Sequence, residues 1–323
     1  MSRVLSALLV AAGLLLPSVA VAQEFETTGA RALGMGGAFV AVADDVTAAW
    51  WNPAGLATGP FFSLALEHHR FESERETGFG QAGPAERHAF ALGMGSLPLA
   101  LSYHRTSSAW AALGPADAPI VQGLATRQFG ATVVQSLSDT LVVAATLKYV
   151  RGEAVTGAGE PGESPLDVAA DLDGDVGQAF DVDLGLMFTA GRLKAGLTVR
   201  NALSPEFDTA GGGTAELPWR ARAGLSYLVA TSLRVAVDAD LRAVETAVEE
   251  QRRLAVGAEW RPAGAARLAL RAGTRIETVG DARPLGTVGA SYAVRNGMWV
   301  DVWAAGGDQT AERGWGLAGR ILF

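Results

Sequence analysis

From Phe61 onward, apolar residues return at every second position. Phe180, Val182, Leu184, Leu186 and Phe188 alternate with Asp181, Asp183, Gly185 and Met187; Leu233, Val235, Val237, Ala239 and Leu241 alternate with Arg234, Ala236, Asp238, Asp240 and Arg242. One face is continuously apolar and the other repeatedly ionisable, which is the period of a strand with two different surroundings. The run from Glu312 to Phe323 has the same form: Trp315, Leu317, Ile321 and Phe323 share one face, and Gly314, Gly316, Ala318, Arg320 and Leu322 the other. Fourteen such segments can be marked, at about 61–71, 86–95, 98–107, 125–137, 140–153, 178–190, 192–201, 217–229, 231–245, 249–261, 265–278, 284–295, 297–306 and 312–323. A tilted strand crosses a bilayer in about 9–11 residues. An even number of them suits closure with both ends on one side. The expected fold class is all-β: a 14-stranded antiparallel transmembrane β-barrel, closed by pairing residues 312–323 with 61–71.

The gaps between segments alternate in length. Ser96-Leu97, Ser138-Asp139, Gly191, Ala230, Pro262-Ala263-Gly264 and Asn296 are tight turns; 72–85, 108–124, 154–177 and 202–216 are long, with shorter connections at 246–248, 279–283 and 307–311. Tight turns on one rim and long loops on the other match an outer-membrane barrel, with turns facing the periplasm. Residues 241–260 also carry apolar residues at helical spacing; the strict alternation of Leu254, Val256, Ala258 and Trp260 favours two strands around a turn.

The ionisable face decides between barrel types. In a soluble sandwich those charges would enter a core, at a cost of several kcal/mol per ion, whereas a membrane barrel has a polar interior. The expected lumen charges are Lys148, Asp181, Asp183, Arg200, Arg220, Arg222, Arg234, Asp238, Arg242, Arg271 and Arg275. They form either ladders that stiffen the wall or a polar path through it.

The start of the chain has the make-up of an export signal. Met1-Ser2-Arg3 is basic, Val4 to Leu16 is nearly all apolar, and Ala20-Val21-Ala22 fits a small-x-small cleavage site. Pro17 ends the apolar run short of the roughly 20 residues of a spanning helix. Removing residues 1–22 as a signal peptide leaves 301 residues (323 − 22), and loss of Arg3 moves the formal charge from −8 to −9. The chain has no cysteine, so disulfides and thiolate metal sites are excluded. Its acidity argues against a nucleic-acid partner.

Residues 23–60 do not alternate. Gly29, Gly34, Gly36, Gly37, Gly55 and Gly59 make the backbone permissive, and Asp44-Asp45 before Val46 to Trp51 suits the cap of a short helix that Asn52-Pro53 ends. Such a segment either fills the barrel, with Trp50 and Trp51 in the lumen, or lies across its periplasmic mouth. The block Gly34-Met35-Gly36-Gly37-Ala38-Phe39, Asp44-Asp45 and Trp51-Asn52-Pro53-Ala54-Gly55-Leu56 resembles the amino-terminal segment of the long-chain fatty-acid transporter superfamily of outer-membrane proteins. The resemblance is nearest to the branch that contains the type IX secretion shuttle proteins. It implies fourteen strands (61–323), a hatch segment (23–60) inside the barrel, and diffusion of a hydrophobic substrate past that hatch, with Asn52, Pro53 and Ala54 at the hatch. Phe39, Trp50 and Trp51 are either the wall of an apolar pocket or simple packing residues. Phe323 resembles the terminal aromatic residue read by the outer-membrane assembly machinery.

Catalytic and metal signals are weak. His68, His69, His88 and His104 are the only histidines, neither an H-E-x-x-H nor a G-x-S-x-G motif occurs, and no cofactor is called for. Asp167, Asp171, Asp173 and Asp175 surround Gly174 and offer calcium-type oxygens, yet their spacing departs from the EF-hand and equally fits an acidic, solvated loop. Three roles follow for a non-enzymatic barrel in outer-membrane lipid: passive transport of hydrophobic or small molecules, reception of a secreted protein by loops 154–177 and 202–216, or a plugged structural barrel.

Overall fold

Strand alternation closes into a barrel here because each inward row finds a partner. The computed structural model describes residues 25–323 apart from 78–80, 115–117, 160–161, 209–213, 246–249, 263–266, 281 and 308–311; the expected signal peptide lies outside the described residues. Residues 25–60 come first, with short helices α1 (Ala30–Leu33) and α2 (Ala48–Trp51) and a 3₁₀ turn at Pro53–Thr58. The wall follows as β1 (Phe62–Thr77), β2 (Gln81–Ser96), β3 (Leu99–Leu113), β4 (Pro119–Ser136), β5 (Leu141–Ala158), β6 (Asp175–Ala190) and β7 (Leu193–Arg200). It continues as β8 (Arg220–Ala230), β9 (Leu233–Asp240), β10 (Arg253–Trp260), β11 (Leu268–Glu277), β12 (Leu285–Arg295), β13 (Met298–Gly307) and β14 (Arg313–Leu322). Each strand pairs antiparallel with its neighbours in sequence, and β14 returns to β1.

The seam is in register from Ser63 opposite Leu322 to Glu72 opposite Arg313. Phe62 and Phe323 exchange backbone hydrogen bonds of 2.9 and 3.0 Å. Faces divide as the alternation demands: Trp315, Leu317 and Phe323 are 53%, 50% and 70% exposed on the outside, while Arg320 is buried inside. Exposed Leu, Val and Phe recur on every wall strand, which is the exterior of a barrel immersed in hydrocarbon.

Two expectations about the long-loop rim need correction. Residues 72–85 and 108–124 are mostly strand: β1 pairs with β2 as far as Thr77 opposite Gln81, and β3 with β4 as far as Leu113 opposite Pro119. β1 to β6 run 15–18 residues and β7 to β14 only 8–11, so one half of the wall stands well above the other. Alternation fades there because the outer face is no longer held to hydrocarbon, and pairing continues without it. The 154–177 loop shortens to the span between Ala158 and Asp175 and holds helix α3 (Pro165–Ala170), capped by the Ser164 hydroxyl at 3.3 Å from the Asp167 amide. Within 202–216, residues 206–208 pair with 214–216 as a small hairpin. Residues 244–245 pair with 250–251, so strands, not a helix, flank that turn.

Val237 lies midway along β9 on the lipid face. Val237→Arg is expected to lower the free energy of folding into vesicles by about 2–4 kcal/mol, read from urea titration; an unchanged midpoint would remove this face from the lipid.

Candidate functional site

An irregular segment at membrane depth must have its backbone polar groups satisfied by the wall around it. Asp238 of β9 accepts from the amides of Phe39 and Val40, both at 2.7 Å. Glu67 of β1 accepts from Gly29 N at 2.6 Å and the Thr28 hydroxyl at 2.9 Å, at the start of α1. Ser63 accepts from Val46 N at 3.0 Å, Ser226 donates to Ala41 O at 2.9 Å, and Thr287 donates to Gly34 O at 3.2 Å. The Asn52 amide donates to Val40 O and to Leu186 O of β6, both at 3.0 Å, and its oxygen accepts from Ala54 N. Residues 25–56 are therefore a plug bonded to strands all round the barrel.

Contact is closer than side chains would permit. A Cβ on Gly196 would stand 2.6 Å from Val40 O, and one on Gly273 would collide with the main chain of Met35. Glycine at these inward positions lets backbone lie on backbone.

Charges then lock the plug in three buried groups. On the short-turn side, Arg31 of α1 binds Asp44 (2.6 Å), Asp45 (2.7 Å) and Glu259 (3.3 Å). Asp45 also meets Arg320 (3.0 Å), Arg320 binds Asp301, and Arg271 binds Glu259 (2.8 Å) and the Ser291 hydroxyl (2.7 Å). Ser291 donates to Asp301 and closes the circuit. Four guanidiniums (Arg31, Arg271, Arg320 and, 3.5 Å from Asp44, Arg234) face four carboxylates (Asp44, Asp45, Glu259, Asp301). Toward the loop side, Glu26 joins Arg222 (2.6 Å) and Arg253, which reach Asp240 and Glu277; Arg275 and Arg87 share Glu312. The third group is Lys148 with Asp181 (2.8 Å) and Asp183 (2.7 Å), extended by Arg200. Burial pushes the Glu26 and Asp45 carboxyls up, but the surrounding arginines outweigh it and hold both well below the usual carboxylate range. Removing one partner from such a buried pair costs about 3–5 kcal/mol.

The inner face is not ionic everywhere. Phe207 of the small hairpin packs on the bare backbone of Gly152 and Gly177, and with Leu217 and Ala215 covers Trp110, Leu124, Val150 and Ala154 of β3 to β5. Val150 shares its inward row with Gln128 and His104, and the His104 ring lies 4.6 Å from Trp50. An apolar lining thus descends from the loop-side mouth as far as Val150, and the polar Gln128 and His104 lie between it and the plug. At the plug, Trp50 carries the Arg200 guanidinium 3.3 Å above its ring and donates to Phe25 O at 2.8 Å; Trp51 donates to Thr28 O at 3.1 Å and meets Phe25 and Phe39 edge-on.

The structure brings Phe39, Trp50, Trp51, Asn52, Pro53 and Ala54 together as buried plug residues. Of the residues assigned to the lumen, Lys148, Asp181, Asp183, Arg200, Arg220, Arg222, Asp238, Arg271 and Arg275 are buried inward. Arg234 is partly exposed near the short-turn mouth, 3.5 Å from Asp44. Arg242 is not in the lumen: it lies past the end of β9 with its guanidinium on the Trp219 ring and donates to Trp219 O at 3.0 Å, because the strand stops at Asp240. The helix before Asn52 starts at Ala48, two residues later than expected, after a turn in which Asp45 accepts from the Thr47 amide and hydroxyl. Asp171, Asp173 and Asp175 are exposed, and among the described residues no metal-binding group of His, Asp or Glu converges. Glu26, Glu67, Glu259, Asp301 and Phe207 were missed. Inward parity on β1, β10 and β13 points to Glu67, Glu259 and Asp301; nothing in the sequence points to Glu26 or to the inward fold of Phe207.

Gly273→Val is expected to unseat the plug and raise single-channel conductance in planar bilayers at least tenfold while the barrel still folds. Conductance equal to that of the parent protein would show that the plug does not rest on this backbone.

Residues 121–240, from β4 to β9, match a family described as F plasmid transfer operon, TraF, protein. Curated protein sequences offer no match. Among solved structures the fold is similar to the CymD monoaromatic hydrocarbon channel (TM-score 0.66, 15% identity, 94% of this chain and 99% of that one). It is also similar to the Ralstonia pickettii toluene transporter TbuX (0.60, 15%, 93% and 99%) and to a Pseudomonas aeruginosa FadL homologue (0.65, 10%, 92% and 98%). At these identities the likeness is one of fold: the chain is a plugged 14-stranded barrel with the fold of these structures.

Proposed function

We propose that this chain is an outer-membrane channel through which small hydrophobic molecules pass without energy input. The observation that carries the reading is the division of the inner face. Ionic groups are charge-balanced and tied to the plug, which opposes passage of ions and water, while Trp110, Leu124, Phe207 and Val150 offer apolar surface down to Gln128 and His104, whose ring meets Trp50. Solved structures of the same fold are described as a monoaromatic hydrocarbon channel and toluene transporters, which supports this substrate class. On this reading Trp50, Trp51 and Phe39 form the floor against which a ligand stops, and the 3₁₀ turn after Asn52, with Pro53 and Ala54, is the part of the plug that yields. Kinship with the type IX shuttle branch rests on the block from Gly29 to Ala57 alone. The inward packing of Phe207 and Ala215 opposes a secreted partner at 202–216.

Toluene efflux from proteoliposomes is the direct test. Phe207→Asp is expected to slow efflux about tenfold by placing a carboxylate on this apolar surface, with ion conductance still low; parent protein no faster than empty liposomes would overturn the reading. Removal of residues 23–60 is expected to open a large ion pore, and a large pore in the intact protein would show that the plug does not seal.

Phe323 we infer to be the side chain met by the assembly machinery, since it stands exposed at the seam, 6.3 Å from the Phe62 ring. Phe323→Ala is expected to reduce the amount of heat-modifiable barrel in outer membranes several-fold; unchanged yield would discount it.

A further inference from the structure

Three arginines stand side by side on the outside of the taller half-wall. Register pairs Arg105 of β3 with Arg127 of β4, and Arg127 with Arg151 of β5. All three lie on the lipid-side parity of their strands, Arg105 and Arg151 exposed and Arg127 half-buried between them. One row nearer the short turns, Tyr103, Phe129, Tyr149 and Phe180 are paired in the same way. The exterior thus changes from aromatic to cationic within a single row.

The height of this change is informative. Arg127 is nine residues from Ser136 at the short-turn end of β4 (136 − 127 = 9), about 30 Å along the strand at roughly 3.3 Å per residue. With a tilt of about 40° that is about 23 Å of height, close to the roughly 25 Å apolar band of such barrels. The row lies where outer-leaflet hydrocarbon gives way to headgroups.

Like charges directly opposite one another destabilise a sheet, and among the described residues no carboxylate forms an ion pair with any of the three. Above the row, α3 leans on the outer wall, with Ser164 donating to Glu86 of β2 at 2.6 Å and Ala169 against Gly123 of β4. Between helix and wall is a cavity of about 240 Å³, lined by Arg105, Arg127, Ser107, Glu153, Leu166 and Ala169 among others. Two guanidiniums against the single Glu153 carboxylate leave it cationic.

We propose that the row Arg105, Arg127 and Arg151, with the cavity under α3, docks the phosphate-bearing headgroup of an outer-leaflet lipid whose acyl chains lie along Tyr103, Phe129 and Phe180. Guanidinium forks match phosphate oxygens two by two, and aromatic residues suit the edge of the hydrocarbon. A free anion would use the arginines and leave the aromatic row idle. The proposal rests on the membrane placement of the barrel and not on its transport role.

The test uses the full chain in neutral detergent, with bound lipid counted by native mass spectrometry during titration with diphosphorylated lipid A. Dephosphorylated lipid A, phosphatidylcholine and inorganic phosphate serve as the other probes. Diphosphorylated lipid A is expected to bind at least tenfold more tightly than its dephosphorylated form, to lose at least tenfold in R105Q/R127Q/R151Q, and to keep its affinity in R295Q on the opposite rim. Equal binding of the dephosphorylated lipid, or an unaffected triple variant, overturns the proposal. Full displacement by millimolar inorganic phosphate overturns it in favour of a soluble-anion site. Should the triple variant not fold, Arg127→Gln alone decides: it is expected to raise the melting temperature in neutral detergent by easing repulsion and to abolish the extra stabilisation that lipid A gives the parent. Retention of that stabilisation counts against the site.

Discussion

The constraint on which the rest depends is hydrogen-bond satisfaction of irregular backbone held at membrane depth. Strands satisfy one another around the barrel, but residues 25–60 have only short helical turns of their own, and every remaining amide or carbonyl must find a partner on the wall. Asp238, Glu67, Ser63, Ser226 and Thr287 are placed inward for that purpose. Their usefulness depends on the plug being close, and closeness depends on inward glycine. The buried charges follow from the same need: a carboxylate that accepts plug amides must be ionised or polar, and its neighbours must neutralise it.

That logic explains why the inner face is uneven. Where the plug touches the wall, from β6 round to β1, side chains are short, glycine or paired ions. Where it does not, along the upper parts of β3 to β6, the wall is free to be apolar, and a loop hairpin fills the space. A barrel with no plug would have neither need. The transport reading and the structural role of the charges are therefore two results of one arrangement, in which ions hold the stopper and greasy residues mark the way past it.

The wall was legible in the sequence because a bilayer imposes a strict period of two on every strand that crosses it, and residues such as Leu184 or Val237 have no other place to go. Inward charges on strands were legible by the same parity. The parts that were not legible lie beyond the bilayer or off the strands. Arg242 follows the alternation of β9 but falls past the end of the strand. The upper ends of β1 to β4 lack a strict alternation and read as loop. Alignment of Arg105 with Arg127 needs the register between strands, which sits in backbone pairing through residues 107–125 and not in any local pattern. The plug was recognisable as a block, yet its partners came from strands up to 275 residues away, as for Asp45 and Arg320.

One contact pair at the seam has a mechanical meaning. Val46 N is bonded to Ser63 of β1, and the adjacent Asp45 is bonded to Arg320 of β14. Two consecutive plug residues therefore bridge the first and last strands from within. The joint that closes the barrel has three members, with the stopper acting as a clasp across the strands' own ladder. Loosening the plug and loosening the seam are then coupled events, so any motion that frees a path past Trp50 reaches the junction of the first and last strands.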